Sequence, residues 1–116
     1  MIRKIFNYFK INKNEKKIDV ENLKVSIGQI QSRQNLNLNS SNINDYEFKV
    51  FSQWGEDGII DYLVTNLNIQ NKTFIEFGVE DYKEANTKFL LINRNWKGWI
   101  IDSSQKNITD IKLQDF

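Results

Sequence analysis

Two short apolar segments constrain the fold of this chain more than any other feature of its sequence. They are TFIEF at 73–77 and GWIID at 98–102, and each carries a carboxylate at its end. Segments that read apolar almost throughout are typical of strands buried on both faces, and helical crossovers make such strands parallel. The residues between them predict a helix over about 84–95. The pattern therefore predicts two parallel neighbouring strands joined by a right-handed crossover helix. The helix between the strands is predicted from four apolar residues that recur at helical spacing, Ala85, Phe89, Ile92 and Trp96.

Two further helices are predicted on either side of these strands. The first begins at Glu56 and Asp57, because acidic residues are favourable in the first turn of a helix. The second follows the second strand, over SQKNITDIKL at 104–113. The element order is therefore α-β-α-β-α, the opening of a doubly wound α/β sheet. The apolar stripe of the first of these helices comprises Ile59, Ile60, Leu63, Val64 and Leu67.

The N-terminal part of the chain, residues 1–45, reads as an accessory segment. KINKNEKK at 10–17 is charged and polar and is interpreted as a linker. A helix is predicted over 19–34, and the Asn- and Ser-rich residues 35–45 suit a loop. The helix rests on Val20, Leu23, Ile27 and Ile30, which recur at three- and four-residue spacing.

Composition excludes several kinds of chemistry. The chain of 116 residues has 16 basic and 15 acidic side chains, so no long-range field favours nucleic acid as a partner. It has no Cys and no His, which excludes disulfides, thiolate zinc sites and a cysteine nucleophile, and no metal site is predicted. The absence of Cys fits a reducing cytoplasm. The N-terminal apolar run is too short and polar for a membrane span, and packing on its own domain is favoured over membrane contact for Ile2, Ile5, Phe6 and Phe9.

The two carboxylates predict a ligand site. In open α/β sheets, ligands bind beyond the carboxyl ends of the strands, where Glu76 and Asp102 are expected. Gly78 follows the first strand directly and can take a positive φ or let the backbone approach a ligand. Asp81, with Glu84 three residues later, resembles a capping box that opens the next helix. A strand-end carboxylate can equally be a solvated terminus or a cap, so both readings of Glu76 stay open.

The chemistry of this loop favours one cofactor. Asp102 follows Gly78 by 24 residues, close to the spacing of about 20 at which an acid binds ribose hydroxyls. The dinucleotide pattern G-x-G-x-x-G is absent, and acids stand where its later glycines would be, which disfavours NAD and FAD. S-adenosylmethionine carries a sulfonium and an ammonium group that Glu76 would attract, and adenosine hydroxyls for Asp102. The loop therefore favours S-adenosylmethionine.

Three segments together resemble a known family. FSQWGEDGIIDYLV, FIEFGVEDYKEANTKFLL and WKGWIIDSSQKNI are similar, in this order, to the N-terminal half of FkbM-type S-adenosylmethionine-dependent methyltransferases, over about 47–112. The resemblance implies a class I Rossmann-like fold over 46–116 and methylation of a hydroxyl on a saccharide or small metabolite. It implies no catalytic residue here. The implied cofactor-binding residues are Gln53, Glu56, Glu76, Phe77, Gly78, Val79, Glu80, Asp81, Asn86, Thr87 and Asp102. Helix capping is an equal alternative for Asn86 and Thr87.

Members of that family continue through further strands, whereas this chain stops at Phe116. We therefore expect a truncated or partial domain that holds a cofactor half-site, is inactive alone, and self-associates through its exposed sheet edge. A non-catalytic interaction module is the alternative. A dehydrogenase or nucleotide-sugar transferase is disfavoured by the acidic loop. Arg94 and Lys97 are expected in a solvated turn. Core packing is favoured over adenine stacking for Trp54, Trp96 and Trp99.

Overall fold

The structure, a computed structural model, describes residues 2–114 and 116, and the side chains of residues 13, 15–114 and 116. Among the described residues, none of the helices combines the length and apolarity needed to span a bilayer. The elements, in chain order, are α1 (Ile2–Asn35), a 3-10 helix (Ile43–Tyr46), α2 (Glu56–Asn66), β1 (Thr73–Phe77), α3 (Lys88–Arg94), β2 (Lys97–Ile101) and α4 (Gln105–Lys112).

The two strands form a parallel pair. Phe74 lies opposite Gly98, and Phe77 lies opposite Ile101. The prediction of parallel neighbouring strands is therefore confirmed, as is the α/β class with a helix between the strands. Because side chains alternate along a strand, Phe74 and Ile100 share one face of the sheet. Both are half-buried, and Ile100 packs against the cluster that contains Tyr82.

The other face of the sheet is open, so the prediction of burial on both faces is wrong. Ile75 and Phe77 of β1 are 58% and 71% exposed, and Trp99 and Ile101 of β2 are 75% and 45% exposed. The helices of the described part of the chain cover the Phe74 face, and alternation places these four side chains on the opposite face. The result is an exposed apolar sheet surface.

The core lies between the helices and the loops that join them. One buried cluster joins Phe48, Val50 and Phe51, which precede α2, to Phe89 of α3. The second cluster lies near the carboxyl ends of the strands and consists of Val79, Tyr82, Ala85 and Ile111, with Leu91, Ile100 and Ile108 packed against it. The predicted site is therefore bordered by a packed cluster.

The helix α1 is continuous over 34 residues, so residues 10–17 do not form the expected linker. That segment contains neither glycine nor proline and is rich in lysine, a good helix former. The predicted helix at 19–34 lies within α1, and the expected loop at 35–45 follows it. The apolar face expected from Ile2, Ile5, Phe6 and Phe9 concerns side chains outside the described residues.

The face of α1 that packs on the domain is not the apolar stripe. Val25 is half-buried, and Gly28 and Ser32 are buried. A Cβ on Gly28 would lie 2.9 Å from Phe89 Cε2, so glycine permits the close approach of α1 to the core. Val20, Leu23, Ile27 and Ile30 point to the solvent instead.

The helix α3 is shorter than predicted. It begins at Lys88 rather than near residue 84, so Ala85 lies in the preceding loop, and Trp96 lies beyond its end. The expected capping box of Asp81 and Glu84 is wrong, because Asp81 accepts from the backbone N–H of Lys83 inside the loop. The physical reason is the backbone at 78–82, which turns through three positive φ angles at Gly78, Glu80 and Tyr82.

The three tryptophans differ in burial. Trp96 is 7% exposed and packs in the interior, as predicted. Trp54 is 73% exposed and Trp99 is 75% exposed, so the expectation that they pack in a core is wrong. Trp99 lies on the open sheet face, and Trp54 precedes α2 on the surface.

Candidate functional site

The carboxyl ends of β1 and β2 bring three of the predicted site residues together. The N–H of Gly78 donates to Ile101 O at 2.8 Å, so the pairing continues one residue past the strands before the chain turns. Gly78 has a φ of 66°, a left-handed conformation that favours glycine. A Cβ there would meet nothing within 4 Å. The backbone therefore favours glycine at this position, and the space beside it is open.

Glu76 binds the segment that leads into α3. Its Oε1 accepts from the N–H of Asn86 at 2.9 Å, and its Oε2 accepts from the N–H of Thr87 at 3.0 Å. The Thr87 hydroxyl also donates to Oε2. Neither Asn86 nor Thr87 caps the helix with its own side chain; Thr87 is the N-cap residue and makes no side-chain cap bond. Glu76 thus sets where α3 begins.

Tyr82 extends this network into the core, and the sequence analysis missed it. Its hydroxyl lies 2.9 Å from Thr87 Oγ1. Because the single hydroxyl proton of Thr87 is donated to Glu76, Tyr82 is the donor to Thr87. Burial is the main cause that raises the pKa of Tyr82 to about 12. No sequence signal distinguished Tyr82 from an ordinary core aromatic residue.

Asp102 joins the loop after β1 to the start of α4. Its Oδ2 accepts from the N–H of Glu80 at 2.9 Å. Its Oδ1 accepts from the N–H of Ser104 at 2.8 Å and from Asn107 Nδ2 at 3.0 Å. The N–H of Ser104, followed by the Asn107 amide, holds the pKa of Asp102 below its usual range. The carboxylate is therefore kept ionised.

The remaining residues of the loop differ in accessibility. Val79 is 3% exposed and belongs to the second core cluster, whereas Phe77 is 71% exposed on the open sheet face. Glu80 is exposed, and Asp81 forms an ion pair with Lys83. Across the described residues no three carboxylates come together in a cluster that would hold a metal ion. The loop therefore presents its Glu80 carboxylate to solvent.

The FSQWGEDG segment at 51–58 is organised by Asp57, another residue that the sequence analysis did not select. Asp57 is 1% exposed, and its Oδ2 accepts from the N–H groups of Val50, Phe51 and Ser52 at 2.7, 2.7 and 2.8 Å. Its Oδ1 has no hydrogen-bond partner among the described residues. The N–H of Ala85 donates to Phe51 O at 3.1 Å, which ties this segment to the loop that Glu76 binds.

Gln53 and Glu56, by contrast, stay within their own segment. The carbonyl oxygen of Gln53 accepts from Lys49 Nζ at 2.6 Å, and Glu56 Oε2 accepts from the N–H of Trp54 at 3.0 Å. The pKa of Glu56 is lowered, chiefly by its own backbone N–H at the start of α2. Among the described residues, no hydrogen bond joins either side chain to Glu76 or Asp102.

A partly buried polar cluster lies between α1, α2 and α3, where the sequence analysis expected a solvated turn. Arg94 Nε donates to Asp61 Oδ1 at 2.8 Å, and Ser32 Oγ donates to Asp61 Oδ2 at 2.6 Å. Arg94 Nη2 also donates to Thr65 Oγ1 at 2.9 Å. The solvated reading of Arg94 is therefore wrong. Its partners are distant in sequence, so no local pattern pointed to them.

Comparison with protein-family models, with curated proteins and with solved structures finds no match for this chain. The family resemblance therefore rests on the three sequence segments quoted above, and the site has to be argued from its own geometry.

Proposed function

We propose that this chain carries the cofactor-binding part of an S-adenosylmethionine-dependent methyltransferase that acts on a hydroxyl group of a saccharide or small metabolite. One observation carries the proposal. Three backbone N–H groups in the loop and at the start of α3, where a phosphate-binding loop would offer donors to a ligand, are bound by carboxylates here. Those of Asn86 and Thr87 donate to Glu76, and that of Glu80 donates to Asp102.

This arrangement disfavours phosphate-containing cofactors. A pyrophosphate is bound by free N–H donors at the loop and helix N-terminus. Here the N–H groups of Glu80, Asn86 and Thr87 are paired with carboxylates, and the exposed Glu80 adds a negative charge beside the loop. A dinucleotide would therefore meet repulsion with few donors, whereas a cofactor that is cationic and presents its own donors would be attracted.

The carboxylates retain the acceptor capacity that such a cofactor needs. A carboxylate has about four acceptor positions. Glu76 uses three of them, which leaves one on Oε1, and Asp102 also uses three, which leaves one on Oδ2. One remaining acceptor suits the ammonium group of S-adenosylmethionine at Glu76, and the other suits a ribose hydroxyl at Asp102. The methyl transfer itself requires mainly positioning of the two reactants.

Isothermal titration of the protein with S-adenosylmethionine and with NAD⁺ tests this proposal. Weak binding of S-adenosylmethionine and none of NAD⁺ is expected, because the chain is expected to hold only a cofactor half-site. Asp102→Ala should weaken the binding of S-adenosylmethionine by about 1–3 kcal/mol, because polar groups of the ligand lose their acceptor. Asp110→Ala, which removes an exposed acid from α4, is the matched control and should leave affinity unchanged. Equal affinity for NAD⁺, or no effect of Asp102→Ala in a folded variant, would reject the assignment.

A second candidate is a non-catalytic interaction module, and the open sheet face favours it. Ile75, Phe77, Trp99 and Ile101 form an apolar surface that another chain can cover, and the unpaired strand edges can extend a sheet. Under this alternative the protein binds no S-adenosylmethionine, and Trp99→Lys abolishes self-association measured by size-exclusion chromatography. Cofactor binding that persists in Trp99→Lys supports the methyltransferase proposal instead.

A further inference from the structure

A cavity of about 680 Å³ lies between α1, α3, α4 and the C-terminal residues of the described chain. Its volume falls within the range of about 300–1,000 Å³ that is typical of small-molecule sites. None of the residues assigned to cofactor binding lines it, so it is separate from the edge at which Glu76 and Asp102 lie. Its apolar walls are formed by Ile18, Val25, Ile92 and Phe116.

The cavity is also lined by a buried lysine, Lys88, which has no part in the proposed cofactor site. Lys88 is 3% exposed. Its Nζ lies 4.6 Å from the ring centroid of Phe51 and 5.8 Å from that of Phe116, so cation–π attraction offsets part of the cost of burial. Lysine side chains are almost never fully buried unless they are paired. The position of Lys88 therefore calls for a counter-charge.

The counter-charge that the described residues supply is a weak one. Glu21 Oε1 lies 3.1 Å from Lys88 Nζ, but the Glu21 side chain is 41% exposed. An ion pair with an exposed partner contributes little to stability, whereas removing an ammonium group from water is costly. Lys88 is also the first residue of α3, where the helix dipole disfavours a cation. Stability alone therefore does not account for a lysine at this position, whereas a bound anion does.

We propose that this cavity binds a monocarboxylate with an apolar body, of the class of the medium-chain fatty acids, with its carboxylate on Lys88. An ammonium group has three N–H donors, and Lys88 has one ion pair among the described residues, so donors remain for a ligand. The aliphatic and aromatic walls suit the apolar body of the ligand, because such a ligand buries apolar surface when it enters.

The charges around Lys88 favour a ligand with a single negative charge. The other charged side chains of the lining, two lysines and two acids, balance one another; they are Lys17, Lys83, Glu21 and Asp110. Lys83 is in addition paired with the acid of its own loop. The buried ammonium group of Lys88 is therefore the charge that a ligand has to balance. A phosphate monoester would bring a second negative charge beside Glu21, and a cationic ligand would be repelled by Lys88.

Isothermal titration of the full chain with octanoate tests the site, with octan-1-ol and octylammonium as ligands of the same length. Octanoate should bind, and the other two should bind at least about tenfold more weakly. Lys88→Met keeps the apolar stem and should weaken octanoate binding at least about tenfold, because hydrogen bonds to a charged group are lost. Lys112→Met, at an exposed lysine of α4 outside the cavity, is the matched control and should leave the affinity unchanged. Circular dichroism checks that each variant is folded.

A second variant tests the site without removing the buried lysine. Glu21→Gln removes the carboxylate that competes for Lys88, so it should strengthen octanoate binding by about threefold or more. Glu15→Gln, at an exposed acid of α1, is its matched control and should leave the affinity unchanged. Asp102→Ala should also leave it unchanged, because Asp102 does not line the cavity.

NMR of the methyl groups of valine and isoleucine locates the bound ligand. The signals of Val25 and Ile92, in the cavity, should shift on addition of octanoate, and those of Ile75 and Ile101, on the open sheet face, should not. Four outcomes overturn the proposal. They are no binding of octanoate by the wild-type chain, equal binding of octanoate and octan-1-ol, shifts confined to the open sheet face, and unchanged affinity in a folded Lys88→Met variant.

Discussion

Arg94 and Asp61, 33 residues apart in the sequence, form an ion pair in which Arg94 Nε lies 2.8 Å from Asp61 Oδ1. The Asp61 side chain is 4% exposed and that of Arg94 is 33% exposed. Ser32 of α1 donates to the other oxygen of Asp61, so one carboxylate joins three helices. This cluster holds α1, α2 and α3 together.

Arg94→Ala should lower the free energy of unfolding by about 2–3 kcal/mol, because it leaves a buried carboxylate without its cation. Urea denaturation measures the change, and Lys97→Ala, at an exposed lysine nearby in sequence, is the control. The double variant Asp61→Leu with Arg94→Met should lose less stability than Arg94→Ala does, since no buried charge then remains unpaired. Equal stability of Arg94→Ala and Lys97→Ala would contradict the role of the ion pair.

Gly28→Ala should destabilise the protein by about 1–2 kcal/mol. Alanine improves helix propensity by up to about 1 kcal/mol over glycine. That gain is outweighed by overpacking of about 1–3 kcal/mol, because the new Cβ would meet Val50 and Phe89, both of which are buried. Thermal unfolding followed by circular dichroism shows whether the substitution lowers or raises stability. A raised melting temperature would show that α1 does not pack this closely on the core.

Asp57→Ala should be far more damaging than Asp57→Asn. The alanine variant leaves the N–H groups of Val50, Phe51 and Ser52 without their acceptor. It should therefore lower the free energy of unfolding by about 3 kcal/mol or more. In the asparagine variant the amide oxygen can take the place of Oδ2, and the amide nitrogen the place of the unpartnered Oδ1. Urea denaturation of both variants checks the order, and equal losses would contradict it.

Tyr82 should produce a loss of stability at alkaline pH. Burial raises its pKa to about 12 from an ordinary value of about 10, so the unfolded chain releases the proton first. The contribution of Tyr82 to stability is therefore fully present below about pH 10 and falls as pH rises towards about 12. Tyr82→Phe should reduce this dependence of stability on alkaline pH. Lys13→Ala, at an exposed position on α1, should leave the dependence unchanged. Urea denaturation across this pH range is the measurement, and an unchanged slope in Tyr82→Phe would contradict it.

Asp102 should produce a loss of stability at acid pH. Its pKa is lowered by the N–H of Ser104, so its contribution is present above the ordinary pKa of about 3.9 and is lost as pH falls through the lower folded value. Asp102→Asn should reduce this acid dependence. It should also speed hydrogen exchange at the Glu80 amide, which loses a charged acceptor. Unchanged exchange at Glu80 would mean that Asp102 does not hold the loop.

Local patterns in the sequence determined the elements and the edge at which the site lies. Their short, almost continuous apolar character indicated the strands TFIEF and GWIID, and Glu56 and Asp57 do begin α2. The parallel pairing followed from the helix between the strands, and it places Glu76 and Asp102 at the same edge. These features depend on neighbours within a few residues, which the sequence shows directly.

Tertiary structure alone decided what those residues contact. The apolar stripe of α1 predicted a helix correctly, yet Gly28 and Ser32, not Ile27 and Ile30, face the core, because a small side chain admits close packing that a large one prevents. Glu76 binds N–H groups ten and eleven residues away, and Asp61 binds Arg94 across 33 residues. Periodicity carries no information about pairs at such separations, since their meeting depends on how whole helices dock.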